Sequence, residues 1–174
     1  MKQRRIDSNS RKAKALADKA FPDEKWEKAG ERIFIAQNRG SKEVDKKNLE
    51  KEIAAARILE SQGSVVYLLP ENSRDTSKKV DAIADGDFME IKTITGGLNA
   101  VQKRFLESRE QSKNVFIHIL SDLSRQDVIN QIAGARQGKK YSRYNRFEGG
   151  KVILKIKGRE TLIYLNVDNL KWKK

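Results

Sequence analysis

No apolar run in this chain is longer than five residues, the VVYLL of 65–69. A helix that crosses a membrane needs about eighteen or more, so no membrane span is expected. A β-branched run of this length suits a buried strand, and Pro70 stops it. Hydrophobic residues make up 37% of the 174, enough for one modest core. That core has to come from short strands covered by amphipathic helices.

The strand candidates are 31–37 (ERIFIAQ), 64–69 (SVVYLL), 80–84, 87–94, 114–120 (NVFIHIL), 151–156 and 161–167. Two pairs read as hairpins, one turning across 84–87 and one across 157–160. Residues 48–62 carry Leu49, Ile53, Ala56 and Leu59 at helical spacing, with Gly63 where a C-cap belongs. Residues 99–111 are a second helix after the Gly96-Gly97 break, and 123–137 a third with Val128, Ile129 and Ile132 inward. Within the polar N-terminus, 15–20 reads as a short helix ended by Phe21-Pro22. Residues 38–47 read as a loop around Arg39-Gly40-Ser41, and 71–79 as a polar loop. The expected organisation is a basic N-terminal extension, 1–45, followed by one α/β domain, 46–174, with a mixed central β-sheet flanked by helices.

Lys and Arg number 37 against 24 Asp and Glu, a net charge of +13. Nucleic acid is the commonest partner of such an excess, and an anionic membrane surface comes second. The chain has no cysteine and a single histidine. Disulfides, thiolate catalysis, Cys-based zinc sites and multi-His metal sites are excluded. Hydrolysis, if present, falls to carboxylates and lysine with a hard cation such as Mg²⁺ or Mn²⁺.

The segment KVDAIADGDFMEIKT, 79–93, is where such chemistry concentrates. Alternation along a strand points Glu90 and Lys92 the same way, with Phe88 before them. Met89, Ile91 and, past a short irregularity, Ile94 give the strand its apolar character. Turning near Gly86 sets Asp81 roughly opposite Glu90. Two carboxylates then converge on one cation, and Lys92 stands one pleat away. Asp81 and Glu90 are the expected metal ligands. Lys92 is expected to stabilise developing negative charge or to orient a water. Equally, E-x-K is a common pattern of ordinary solvent-facing strand residues.

Glu52 falls inside the apolar stripe of its helix, where a carboxylate requires a metal or a lysine as partner unless it reaches water at the stripe's edge. Glu50 reads as a solvated charge. His118 alternates with Phe116 and Leu120 and reads as a core histidine rather than a ligand.

The succession of acidic helix, SVVYLLPE, Asp81 and Met-Glu-Ile-Lys resembles the PD-(D/E)xK nuclease superfamily. Within it, residues 48–120 resemble the C-terminal tRNase toxin domains of contact-dependent growth inhibition and related polymorphic toxin systems. Val80 stands where the motif usually has proline. The resemblance implies a nuclease-like fold, with Asp81 and Glu90 as metal-binding acids, Lys92 as catalytic lysine and Glu52 as the acid from the first helix. It also implies RNA, in particular tRNA, rather than DNA as substrate, and a toxin with a cognate immunity protein. A DNA endonuclease of a mobile element and a noncatalytic nucleic-acid-binding module are the alternatives.

Further contacts to nucleic acid are expected from Gln102, Lys103 and Arg104, which meet phosphate or form a solvated face. The basic, aromatic stretch 138–147 offers Lys139, Lys140, Arg143 and Arg146 for phosphates, and Tyr141 and Tyr144 for stacking. Lys2, Arg4, Arg5, Arg11 and Lys12 read as a flexible arm adding nonspecific affinity. The N-terminus lacks the apolar stretch of a secretory signal peptide. Action in a cytoplasm is expected, with delivery into a target cell by another route left open.

Overall fold

The computed structural model describes residues 2–37, 39, 43–70, 80–137 and 149–170. Among the described residues, four helices and a mixed sheet of eight strands, in the order β1-β2-β3-β4-β5-β6-β7-β8, make up an α/β fold. The chain divides into two compact units, Met1–Met89 and Glu90–Lys174. The division falls inside one continuous strand, β5 (Asp87–Ile94). Among the described residues no helix is long and apolar enough to cross a membrane.

The first unit holds α1 (Lys2–Ala20), β1 (Trp26–Lys28), β2 (Ile33–Ala36), α2 (Glu43–Ser61), β3 (Val66–Leu68), β4 (Ala82–Ala84) and the start of β5. Strand β2 runs parallel to β3 and α2 is the crossover between them, while β3, β4 and β5 are antiparallel in turn. Pleating sends Val65, Tyr67 and Leu69 to one face, where Ala13 and Ala17 of α1 close over them. Phe34 stacks on Tyr67 at 4.7 Å, and Trp26 meets the same ring edge-on at 5.0 Å. Helix α2 packs on β3 through a stripe that includes the buried Ala55, Ala56 and Leu59. Gly63, at φ +92°, ends it in the left-handed conformation.

Residues 2–36 supply α1, β1 and β2 and part of the first unit's core, and the basic N-terminus is helical from Lys2. The stripe of α1 is built from small residues, Ala13 and Ala17, which gives little hydrophobic contrast in the sequence but lets the helix come close to the sheet.

That closeness is greatest at the β4–β5 turn. Asp85 and Gly86 both have positive φ, +54° and +90°, as a two-residue hairpin of right-handed strands requires. The Asp85 carboxylate accepts the Val65 backbone N–H (3.0 Å) and the Ser64 hydroxyl (2.9 Å), fixing the turn to the start of β3. A Cβ on Gly86 would sit 2.8 Å from the Lys12 Cβ and 3.4 Å from the Lys12 carbonyl carbon.

The second unit holds the rest of β5, α3 (Leu98–Gln111), β6 (Val115–Ile119), α4 (Arg125–Gln137), β7 (Lys151–Ile156), β8 (Ile163–Asn166) and a 3-10 turn (Val167–Asn169). Strands β5, β6 and β7 are parallel with α3 and α4 as crossovers, and β8 returns antiparallel. Ile94, Val115, Ile117, Ile119, Val152, Leu154 and Ile156 form the sheet side of the core, covered by Val101 and Phe105 of α3 and Val128 and Ile132 of α4. Ser124 caps α4: its hydroxyl accepts the Asp127 N–H at 3.1 Å and donates to the Asp127 carboxylate at 2.7 Å. No irregularity interrupts β5 before Ile94. The register runs unbroken from Glu90↔Val115 to Ile94↔Ile119, and Ile94 shares the face of Glu90 and Lys92.

Gly86→Ala is expected to destabilise the protein by about 2 kcal/mol or more, because left-handed strain alone costs about 1–2 kcal/mol and α1 must also retreat. Urea unfolding monitored by circular dichroism measures it, and a loss below about 0.5 kcal/mol would contradict the close approach.

Candidate active site

In the first unit, Asp81 is half-buried and immediately precedes β4. Its backbone carbonyl accepts two hydrogen bonds, from the Leu69 N–H at 2.9 Å and from Arg39 Nη1 at 3.3 Å. The other terminal nitrogen of Arg39, Nη2, is ion-paired with Glu52 Oε2. The Arg39 side chain is only 3% exposed and that of Glu52 13%. One buried guanidinium thus joins the acid of α2 to the backbone that carries Asp81. Glu50, two residues earlier on the helix, is exposed. The partner of Glu52 in this structure is an arginine, where the sequence pointed to a metal or a lysine.

In the second unit, Glu90 is 0% exposed. Its carboxylate is ion-paired with Lys92 Nζ, two residues along the same face of β5, and Lys92 keeps 21% of its side chain exposed. Both residues lie on the face that carries Val115 and Ile117, their register partners. Other buried polar groups surround the start of the parallel strands. The Glu90 N–H donates to the Asn114 carbonyl at 3.0 Å, the Asn114 N–H to the Ser112 hydroxyl at 3.2 Å, and the Lys151 N–H to the Asn114 side-chain oxygen at 3.2 Å. Arg109, fully buried in α3, donates to the carbonyls of Lys113 and Gly149, at 2.9 Å for the latter. A Cβ on Gly150 would fall 2.0 Å from the Lys113 carbonyl oxygen, so the chain entering β7 is held hard against the end of α3.

Arg39 and Arg109 are the residues that sequence reasoning missed. Arg109 had a visible signal: Val101, Phe105 and Arg109 follow at i, i+4, so the cation sits in an apolar stripe, the same anomaly that drew attention to Glu52. Arg39 had none of its own. A carboxylate inside a stripe calls for a cation, but the sequence does not say which one.

A hard divalent cation takes carboxylate oxygens, commonly from one or two protein carboxylates with water and phosphate completing the shell; Asp81 carries one such group in the first unit and Glu90 one in the second. Among the described residues no group of three or more His, Asp or Glu gathers as a metal shell. His118 is paired in register with Thr93 and Lys155, on the opposite face of the second unit's sheet from Glu90. It is half-buried, and burial, with Lys155 adding to it, pushes its pKa below the ordinary 6.5.

Gln102 is half-buried and Lys103 and Arg104 are exposed on α3, where both cations pair with Glu107, Arg104 at 2.8 Å and Lys103 at 3.9 Å. Lys139, Lys140, Tyr141, Arg143, Tyr144 and Arg146 lie outside the described residues. No family model, curated protein or solved structure matches the chain.

His118 has a pH consequence. Its pKa is lower in the folded chain than in the unfolded one, so the unfolded chain binds the proton more readily as pH falls below 6.5. The stability it contributes is whole above that value and is lost as pH drops through the window beneath it. His118→Asn should flatten the fall in stability between about pH 7 and pH 5, read from urea midpoints across that range. An unchanged slope would contradict this.

Proposed function

We propose that this chain is a metal-dependent nuclease that hydrolyses phosphodiester bonds, with RNA, in particular tRNA, as its substrate. The observation that carries the reading is Glu90: a fully buried carboxylate on a sheet strand, with an amine two residues along the same face. A second acid is expected from the sequence, in which a hairpin turning near Gly86 sets Asp81 roughly opposite Glu90. The net charge of +13 supports a polyanionic substrate.

When bound, Mg²⁺ or Mn²⁺ would polarise the phosphate and supply an acidified water. Asp81 and Glu90 would hold it through carboxylate oxygens. Lys92 would offer its ammonium to the negative charge that grows on the non-bridging phosphate oxygens as the bond to the leaving oxygen breaks. Glu52 would be the further acid that the resemblance implies from α2, ion-paired here with Arg39. The resemblance to polymorphic toxins extends the proposal to a toxin acting in the cytoplasm of a target cell and neutralised by a cognate immunity protein. DNA cleavage, as by an endonuclease of a mobile element, is the alternative within the same chemistry.

One observation favours a different class. Glu90 has Lys92 and Glu52 has Arg39, so both pairs also suit structural ion pairs of a noncatalytic nucleic-acid-binding module. Against it, carboxylates facing a nucleic acid oppose binding unless a cation stands between.

Incubation with total RNA and with plasmid DNA, each with Mg²⁺ or with EDTA, separates these readings. Metal-dependent RNA cleavage, lost in Asp81→Asn and Glu90→Gln and reduced at least 100-fold, on the order expected for a transition-state group, in Lys92→Ala, is the expected result. Tight binding without cleavage of either polymer would establish the noncatalytic module, and cleavage of plasmid alone the DNA endonuclease.

The cations of 138–147 are assigned to substrate binding. Replacing Lys139, Lys140, Arg143 and Arg146 together by Ala should raise KM and lower the salt slope by about 0.7 per lost phosphate contact on single-stranded RNA. Turnover at saturating substrate should persist. An unchanged salt slope would place the substrate elsewhere, for instance along Gln102, Lys103 and Arg104.

A further inference from the structure

The buried guanidinium of Arg39 joins two groups that are far apart in sequence. One terminal nitrogen is ion-paired with the Glu52 carboxylate, and the other donates to the backbone carbonyl of Asp81. That carbonyl already accepts the Leu69 N–H, so both of its acceptor directions are used. The peptide that leaves Asp81 is thereby held in plane from two sides, and with it the direction of the Asp81 Cα–Cβ bond. Arg39 reaches the backbone of Asp81 through its Nη1. With 3% of its side chain exposed, Arg39 is not a surface cation that happens to lie nearby.

We propose that Arg39 is a positioning residue of the metal site: it sets the angle at which Asp81 presents its carboxylate and keeps Glu52 fixed beside that backbone. The inference rests on the reading of Asp81 as a metal ligand. Only arginine can make this junction. Its planar fork offers separate N–H groups in fixed directions to two acceptors, whereas the single ammonium of a lysine cannot span both with the same geometry. Partners that orient a metal ligand commonly change metal affinity by about 10–100-fold when removed.

Mn²⁺ binding to the full chain, measured by isothermal titration calorimetry without any nucleic acid, tests this apart from turnover. The variants are Arg39→Lys, which keeps the charge, Arg39→Met, Glu52→Gln and Asp81→Asn, with circular dichroism melts for each. Arg39→Lys should melt as a folded protein and bind Mn²⁺ about tenfold more weakly or worse. In cleavage assays it should need correspondingly more metal, with the KM for RNA unchanged and kcat recovering at saturating metal. If Arg39 acts through the junction with Glu52, the Arg39→Lys/Glu52→Gln double variant should lose less than the product of the two single losses. Wild-type Mn²⁺ affinity in Arg39→Lys, together with lost binding in Asp81→Asn, would remove the role of Arg39 and leave the metal site standing. Full additivity of the two single losses would equally overturn the junction. Unaltered binding in Asp81→Asn would remove the site itself, and this inference with it.

Discussion

A carboxylate taken out of water must find a cation, and this requirement organises both units. The cost of burying an unpaired charge exceeds what a single hydrogen bond returns, so a sequence that sends Glu52 and Glu90 inward must send basic groups after them. It does so in two ways. Glu90 is met locally, by Lys92 two residues along the same strand face, a partner that the alternation of β5 supplies automatically. Glu52 is met at a distance, by Arg39 from the segment after β2. The local pair depends on one strand alone. The distant pair joins the segment after β2 to α2, and a separate hydrogen bond from Arg39 reaches the backbone ahead of β4.

Buried ion pairs are weak contributors to stability compared with well-packed apolar groups of the same size, so the pairs that hold Glu52 and Glu90 are a matter for explanation. The apolar packing around them is sufficient for the fold: alanines of α1 against Tyr67 and Ile83 in one unit, Phe105, Ile117 and Leu154 in the other. Under the proposed nuclease reading, acids in a protein with a large positive excess serve to hold a cation against a phosphate.

Much of this could be read from the sequence, and the reasons differ by element. Strand β5 and strand β7 have the predicted bounds, since β-branched residues and flanking turns mark them at both ends. The Asp85-Gly86 turn is fixed by its residue types, because only such pairs accept two positive φ values in succession. Helix α1 is legible only at its end, Phe21-Pro22, because alanines at Ala13 and Ala17 do the work that leucines would announce. Strand β1 is three residues long, with two of them exposed, so it carries no apolar period. Ile94 needed no irregularity to face the core; its strand simply passes from a polar stretch of that face to an apolar one. At the candidate site the phase of α2 was readable, since a carboxylate among Leu49, Ala56 and Leu59 declares itself. Arg39 was not, since its role comes from tertiary proximity to residues 13 and 42 positions away.

The proposed function turns on Asp81 and Glu90 as ligands of one divalent cation, an expectation drawn from the sequence. A crystal structure grown with Mn²⁺ tests it most directly, because anomalous scattering locates that ion independently of the protein phases. The account predicts one anomalous peak within about 2.0–2.3 Å of a carboxylate oxygen of each residue, hard-cation distances, with Lys92 Nζ close by. Mn²⁺ bound elsewhere, or Asp81 and Glu90 both ordered with no ion between them at millimolar Mn²⁺, would contradict it.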